Sequence, residues 1–357
     1  MHQLMVFCRA GFEGECGREL TDAAAWRGIF GFFRPGKEPG TVRFTLSGKD
    51  KPADLMNTLA LGDLVFARDW FEILAEFELP ASDRVGAVQA VLRELEAALP
   101  ACQRVEVRIP AGNTDRDLGN FARKWVAPLS RALRDAGTLS QGAGPDVYQL
   151  EIFLSDFTAA VVGVSRADNR SPFPGGIPRL KLSGQSPSRS ALKLDEAWKV
   201  FVAPDRATEL LGGGKKAVDL GAAPGGWTSQ LVRHGMLVTA IDNGPMNAEL
   251  MATGHVEHIE ADGFRWRPRR AVDWMVCDIV DQPRKTAAMV AEWFAKKLCR
   301  YSIFNLKLPM KKRYEEWLEC RGLIEERLTQ AGIGYRLVAR HLYHDREEIT
   351  CFIERLD

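Results

Sequence analysis

The chain has 357 residues, 46% hydrophobic and 27% charged, enough for two domains built around substantial cores. Its 48 basic and 47 acidic side chains leave a net charge of +1, which excludes a polycation that binds nucleic acid by bulk charge. No apolar run reaches membrane-spanning length, and the seven cysteines, scattered without a C-x-x-C pair, read as reduced thiols rather than a disulfide framework or a zinc site.

The first residues, Met1-His2-Gln3-Leu4-Met5, lack the basic region and cleavage site of a secretory leader. A cytoplasmic protein with no membrane attachment is therefore expected. A strand over 4–8 and a helix over 13–26 predict a small α/β unit in residues 1–60. Apolar residues at helical spacing (Val85, Val88, Val91, Leu92, Leu95, Leu99) predict a helix over 84–99 that stops at Pro100. Alternation of charged and apolar residues predicts a strand over 104–109. A helix over 116–136 should end at Gly137, and two β-rich runs, 147–154 and 157–164, read as a hairpin around Ser155-Asp156. By its order of elements, the region 61–167 resembles a THUMP domain, which implies RNA binding.

Proline, glycine and serine are dense over 168–188, so a linker is expected there, dotted with Arg170, Arg179 and Lys181. Beyond it strands and helices alternate through residues 189–357. Strands are expected over 217–220, 237–241, 256–260, 273–277, 301–306, 335–339 and 349–353, with helices over 227–233, 285–297 and 313–331 among them. Such alternation predicts a doubly wound, mostly parallel α/β sheet covered on both faces, with ligands beyond the carboxyl ends of its strands.

Residues 218–227 read V-D-L-G-A-A-P-G-G-W: a buried strand, a glycine-rich turn and a helix start. Such a turn admits a ligand close to the backbone and aims helix N-terminal N–H groups at it. The order G-A-A-P-G-G departs from the G-x-G-x-x-G of dinucleotide folds, which disfavours a nicotinamide oxidoreductase. It resembles the first motif of S-adenosylmethionine-dependent methyltransferases, specifically the FtsJ-like RNA ribose methylases. The resemblance implies a Rossmann-like fold of seven strands with the last antiparallel. It also implies a cofactor pocket on Ala223, Pro224, Gly225 and Gly226, with Ser190 beside them. Asp242 ends the next strand roughly twenty residues on, where an acid can accept both hydroxyls of a cofactor ribose. Asp262 lies past the following strand, by resemblance near the adenine. Asp278 ends the strand after that. For any one of these acids a helix N-cap is the bland alternative, but three at successive strand ends after this glycine turn are hard to explain as caps.

Four further contexts match the tetrad of the FtsJ-like enzymes. The stretch 188–196 (S-R-S-A-L-K-L-D-E) supplies Lys193, 274–278 (W-M-V-C-D) supplies Asp278, 304–307 (F-N-L-K) supplies Lys307, and 346–348 (R-E-E) supplies Glu348, with Glu347 as the alternative fourth member. The chemistry suits these types. A ribose hydroxyl is a weak acid and the sulfonium methyl is already activated, so an enzyme must align the atoms and remove a proton. A lysine accepts that proton only when neutral, and a second ammonium nearby lowers its pKa. Rival chemistries lack their residues: Asp278-Ile279-Val280-Asp281 replaces the N/D-P-P-Y/F loop of base N-methylases. Cys277 should face away from the site, and His344 reads as a loop residue.

Lys311-Lys312-Arg313, and Arg265, Arg267, Arg269 and Arg270 with Phe264 and Trp266 between them, are candidate RNA contacts, although a solvated face also explains such runs. Residues 242–246, 304–317 and 342–348 resemble bacterial large-subunit ribosomal RNA methyltransferases of this group, which implies a cytidine in 23S rRNA as the target. Methylation at another RNA site, or an inactive RNA-binding assembly factor, remain alternatives. No metal and no protein partner is expected.

Overall fold

The computed structural model describes residues 2–95, 99–140, 147–184 and 186–356. The chain forms two compact units, 1–176 and 177–357. Each has its own apolar core.

The first unit runs β1 (Gln3–Phe7), α1 (Glu13–Ala25), β2 (Gly31–Pro35), β3 (Thr41–Leu46), α2 (Pro52–Thr58), β4 (Asp69–Glu78), α3 (Arg84–Glu94), β5 (Cys102–Arg108), α4 (Arg116–Asp135), β6 (Tyr148–Leu154) and β7 (Ala159–Arg166). Its seven strands form one sheet in the order β2-β3-β1-β4-β7-β6-β5. Only the β5–β6 pairing is parallel. The expected unit over 1–60 and the region 61–167 thus contribute strands to a single sheet. Helix α3 ends earlier than its apolar pattern reaches; residues 96–98 of that expectation lie outside the described residues. The hairpin between β6 and β7 is held by Asp156, whose Oδ1 accepts from the N–H of Thr158 at 2.6 Å and of Ala159 at 2.9 Å.

Helix α4 illustrates how the first unit is made. Asp115 caps its start by accepting from the N–H of Asp117 and Leu118. Leu118, Ala122, Trp125, Leu129 and Leu133 recur every three or four residues and are buried against the sheet. Arg108, at the end of edge strand β5, is buried with two carboxylates, 2.6 Å from Asp69 Oδ2 and 2.6 Å from Glu151 Oε2. The stretch expected as a linker begins inside this unit. The Asn169 side chain accepts from Leu61 N–H and donates to the carbonyls of Met56 and Leu59, and Ser171 N–H donates to Asp69. Buried main-chain groups that need partners therefore tie 168–176 to the sheet.

The second unit runs α5 (Ala191–Phe201), α6 (Ala207–Leu211), β8 (Lys216–Leu220), α7 (Gly226–Arg233), β9 (Leu237–Ile241), α8 (Ala248–Met251), β10 (Val256–Ile259), β11 (Val272–Cys277), α9 (Pro283–Ala295), β12 (Cys299–Lys307), α10 (Arg313–Gln330), β13 (Tyr335–Arg340) and β14 (Glu348–Arg355). Its sheet has the order β10-β9-β8-β11-β12-β14-β13. Strands β8 to β12 are mutually parallel, while β14 is antiparallel to both of its neighbours. The expected seven strands with the last antiparallel are present. Central strands such as β11 (V-D-W-M-V-C) carry near-continuous apolar runs because helices cover both faces. The reversal of β14 has a consequence for chemistry: its first residue lies at the same edge as the last residues of the parallel strands.

Among the described residues, no helix is long and apolar enough to cross a membrane, and no cluster of His, Cys, Asp or Glu has the makings of a metal site.

Candidate active site

Most of the sequence-picked residues sit at the carboxyl edge of the second sheet. Asp242 follows β9, Asp278 follows β11, Lys307 ends β12 and Glu348 opens β14. The glycine turn leaves β8 between Gly221 and Gly225, and Asp262 lies beyond β10.

The turn has the shape that glycine permits. Gly221 and Gly225 have φ of +78° and +114°. A Cβ on Gly225 would stand 2.5 Å from Leu250, and one on Gly226 would stand 2.2 Å from Ser190 Oγ. Ser190 is thereby placed against the turn, and its carbonyl accepts from Trp227 Nε1 at 3.0 Å. The peptide between Ala223 and Pro224 is cis. The Asp242 carboxylate is fixed at both oxygens: Oδ2 accepts from Ala223 N–H at 3.0 Å and Oδ1 from Gly244 N–H at 2.8 Å. Each oxygen keeps a further lone pair, so the acid can still receive two hydroxyls. Asp262 accepts from Phe264 N–H at 2.8 Å and its side chain is half exposed, so in the structure it caps a turn.

The four residues expected to form a tetrad converge. Lys307 Nζ is 2.5 Å from Asp278 Oδ1 and 3.9 Å from Glu348 Oε1. Lys193 Nζ is 3.4 Å from Asp278 Oδ2 and also pairs with Glu348 Oε1. Register explains the meeting: Lys307 and Glu348 are direct cross-strand partners on β12 and β14, while Lys193 comes from the first turn of α5. The same alternation resolves the choice between the two glutamates. Glu348 is buried towards the lysines, whereas Glu347 is exposed and pairs with Arg313 Nη2 at 2.6 Å. Burial works to lower the Lys193 pKa, but the neighbouring Asp278 and Glu348 outweigh it and hold the pKa above the usual lysine value. Lys193 is an ammonium.

Residues that the sequence did not single out complete the cluster. Asn305 Nδ2 donates to Asp278 Oδ1 at 2.9 Å, and Thr350 Oγ lies 2.8 Å from Asn305 Oδ1. Asp345 is fully buried beside Thr350. The loop that carries it is held by Glu196 of α5, which accepts from Tyr343 N–H, from His344 N–H and from His344 Nδ1. His344 thus anchors its loop. Their signal in the sequence was a polar residue inside an apolar strand, Asn305 between Phe304 and Leu306, and nothing local tells where its partners lie. Cys277 is buried within the sheet and its thiol is pushed up to about 12, chiefly by burial, so it offers no thiolate. Burial likewise pushes the Asp219 carboxyl up to about 7, against the hydrogen bond it accepts from Thr228.

The basic runs fare differently. Lys311 and Lys312 are exposed just past Lys307, while Arg313 is tied to Glu347. In the second run, Trp266 packs 6.4 Å from Trp293, and Arg267 donates to the carbonyls of Phe264 and Trp266. Those two are structural, which breaks the expected patch. A different basic face appears in the first unit. Arg116, Arg123, Lys124, Arg131 and Arg134 are all exposed on α4, within about 100° of one another by helical spacing. Arg131 and Arg134 line an open cavity of about 780 Å³ with Arg104, Ser130 and Ser140.

Three family descriptions match the chain. Residues 1–71 match the RlmM ferredoxin-like domain, 83–166 the N-terminal domain of ribosomal RNA large subunit methyltransferase M, and 187–301 the FtsJ-like methyltransferase. The chain is similar over its full length to ribosomal RNA large subunit methyltransferase M of Marinobacter nauticus, at 63% identity covering 100% of both chains. The protein of that name from Pseudomonas syringae pv. syringae is 44% identical, covering 100% of this chain and 98% of its own. That of Shigella flexneri serotype 5b is 43% identical, covering 100% and 97%.

Proposed function

The chain belongs to the ribosomal RNA large subunit methyltransferase M family, and from that premise we propose that it moves the methyl group of S-adenosylmethionine to the 2′-oxygen of a cytidine ribose in 23S rRNA. The observation that carries this reading is the meeting of two amines and two carboxylates at one point of the sheet's carboxyl edge. The glycine turn, with no room for a Cβ at Gly225 or Gly226, and the doubly anchored Asp242 at the next strand end fit the cofactor. Asp242 would receive the ribose hydroxyls, and Ala223 to Gly226 with Ser190 would line the methionine side.

The bound cofactor supplies an activated methyl carbon. The chain has to place the ribose oxygen in line with that carbon and take its proton. Lys307 is assigned as proton acceptor. Asp278 orients its Nζ, and both amines approach the same Glu348 oxygen. Lys193 and Glu348 hold the pair in place. Asp262 near the adenine stands as a weaker assignment, since its carboxylate caps a turn.

RNA recognition is assigned to both units. In the first, the cationic face of α4 suits a phosphate backbone, because each neutralised phosphate releases counterions. In the second, Lys311 and Lys312 flank the proposed acceptor. The test is to map 2′-O-methyl marks on rRNA from cells with and without the gene. One cytidine mark in 23S rRNA should vanish with the gene and return on complementation. An unchanged map would reject the substrate.

A further inference from the structure

Thr350, Asn305 and Asp345 form a polar chain in an otherwise apolar part of the second sheet. Its contacts can be counted donor by donor. Asn305 stands 2.9 Å from an Asp278 oxygen that can only accept, so the amide must turn its N–H there and its carbonyl oxygen towards Thr350. Thr350 Oγ lies 2.8 Å from that carbonyl oxygen and has one proton, which therefore goes to Asn305. The Asp345 oxygens, 3.0 and 2.9 Å from the same hydroxyl, then face an oxygen with no proton left to give. Two bare oxygens at that separation repel. A proton on Asp345 turns one of these contacts into a hydrogen bond. Its Oδ2 accepts from Leu342 N–H at 3.0 Å, which leaves Oδ1 as the protonated oxygen, donating to Thr350.

We infer that Asp345 is a neutral carboxylic acid at the head of a hydrogen-bond chain, Asp345 to Thr350 to Asn305 to Asp278, and that this chain positions the Asp278 carboxylate between the two lysines. The inference rests on the reading of Asp278 as part of the methyl-transfer site. Its surroundings favour the neutral form: the residue is fully buried, and burial first, then the Glu348 carboxylate, raise its pKa well above the usual value against the opposing pull of Lys193. Asp345 is a positioning residue and touches no reacting atom. Its function is directional. A chain that starts from a neutral acid donates at every link and ends by donating to Asp278. That leaves Oδ2 of Asp278 to Lys193 and shares Oδ1 with Lys307. An ionised Asp345 would draw the Thr350 proton to itself and release Asn305 to turn over.

The test uses full-length variants and two readouts. Asn at position 345 supplies the same donor and acceptor as a neutral acid, so Asp345→Asn should keep single-turnover methylation within about threefold of the parent. Asp345→Ala and Thr350→Val should each lose roughly ten- to hundredfold, with S-adenosylmethionine affinity unchanged by calorimetry. Infrared difference spectra at pH 7, parent minus Asp345→Asn, should contain the carbonyl band of a protonated carboxylic acid; subtraction removes the contribution of Asp219. Asp345→Asn as impaired as Asp345→Ala, with no acid band, would make Asp345 an ionised counter-charge and overturn the inference. Full turnover in Thr350→Val would show that the chain positions nothing. If Asp345→Ala fails to fold, the Asn variant and the infrared band still decide the matter. A parent enzyme that leaves rRNA unmarked, yet shows the band, would instead count against the proposed function.

Discussion

Lys307 and Lys193 share two carboxylates, yet different roles are proposed for them. The carboxylates hold Lys193 charged, whereas Lys307, at the end of a central strand, is the proposed proton acceptor. Lys307→Ala should abolish methyl transfer, a loss on the order of 10²–10⁴ for a positioned base, while calorimetric affinity for S-adenosylmethionine stays near normal. Lys307→Arg should not restore it, because a guanidinium cannot give up its proton at working pH. Near-normal turnover in that variant would leave position 307 only a fixed charge. Asp242→Ala should act on the other readout, weakening cofactor binding by roughly 1.5–3 kcal/mol through lost hydrogen bonds to a charged group. Unchanged affinity would mean that the ribose lies elsewhere. Asp219 gives a pH test. Burial raises its carboxyl to about 7 in the folded chain, above the ordinary value of an unfolded one. Its favourable contribution is complete below about pH 4 and is lost as pH rises towards 7, since only the unfolded chain releases the proton in that window. Asp219→Asn cannot ionise and keeps an oxygen for Thr228. Its melting temperature should therefore gain on the parent between pH 4 and 7 and hold that gain above, each kcal/mol appearing as roughly 2–4 °C. Parallel melting curves across that range would place Asp219 outside the titration. At this scale the sequence was readable wherever a motif surrounded a residue. Choosing Glu348 over Glu347 needed the pairing of β12 with β14, and Trp266 and Arg267 looked available because their partners, Trp293 and two nearby carbonyls, leave no mark in local spacing.

Among the elements, legibility tracked burial. Strands β8, β11 and β12 are almost wholly buried and wrote largely apolar runs, so they were visible without the structure. Strands β2, β3 and β4 were not anticipated. β2 sits at the sheet edge with Phe32 and Arg34 exposed, and β4 begins fully buried and ends half exposed, so neither keeps one period along its length. Helix α4 combines a legible apolar stripe with a cationic outer face whose meaning is electrostatic. The double variant Arg123→Glu with Arg134→Glu should weaken binding to an rRNA fragment and make the dependence of log affinity on log salt shallower by about two. Both side chains are exposed, so stability should change by no more than about 0.5 kcal/mol. An unchanged salt slope would make the face merely solvated.

Over the whole molecule, the division of the chain near residue 170 was visible in composition, but the working boundary is set by hydrogen bonds. Asn169 and Ser171 both bond to residues of the first unit, so a cut at 170 would strip Ser171 from Asp69. A cut after Gly176 leaves two cores intact, one around Leu150, Leu129 and Val162, the other around Trp274, Phe352 and Leu231. All the proposed cofactor contacts, Ser190, the turn 223–226, Asp242, Asp262 and Asp278, lie after that cut, while the α4 face lies before it. A fragment of residues 177–357 should therefore fold and bind S-adenosylmethionine with near-parental affinity, since no proposed cofactor contact is removed. Its methylation of rRNA should fall steeply if the proposed phosphate contacts of the first unit supply much of the salt-dependent affinity for the substrate. Calorimetry with the cofactor and single-turnover methylation of the rRNA substrate, run on fragment and full chain together, separate the two effects. Equal methylation rates at subsaturating RNA would remove substrate recognition from residues 1–176, and loss of cofactor binding in a folded fragment would place part of the pocket there.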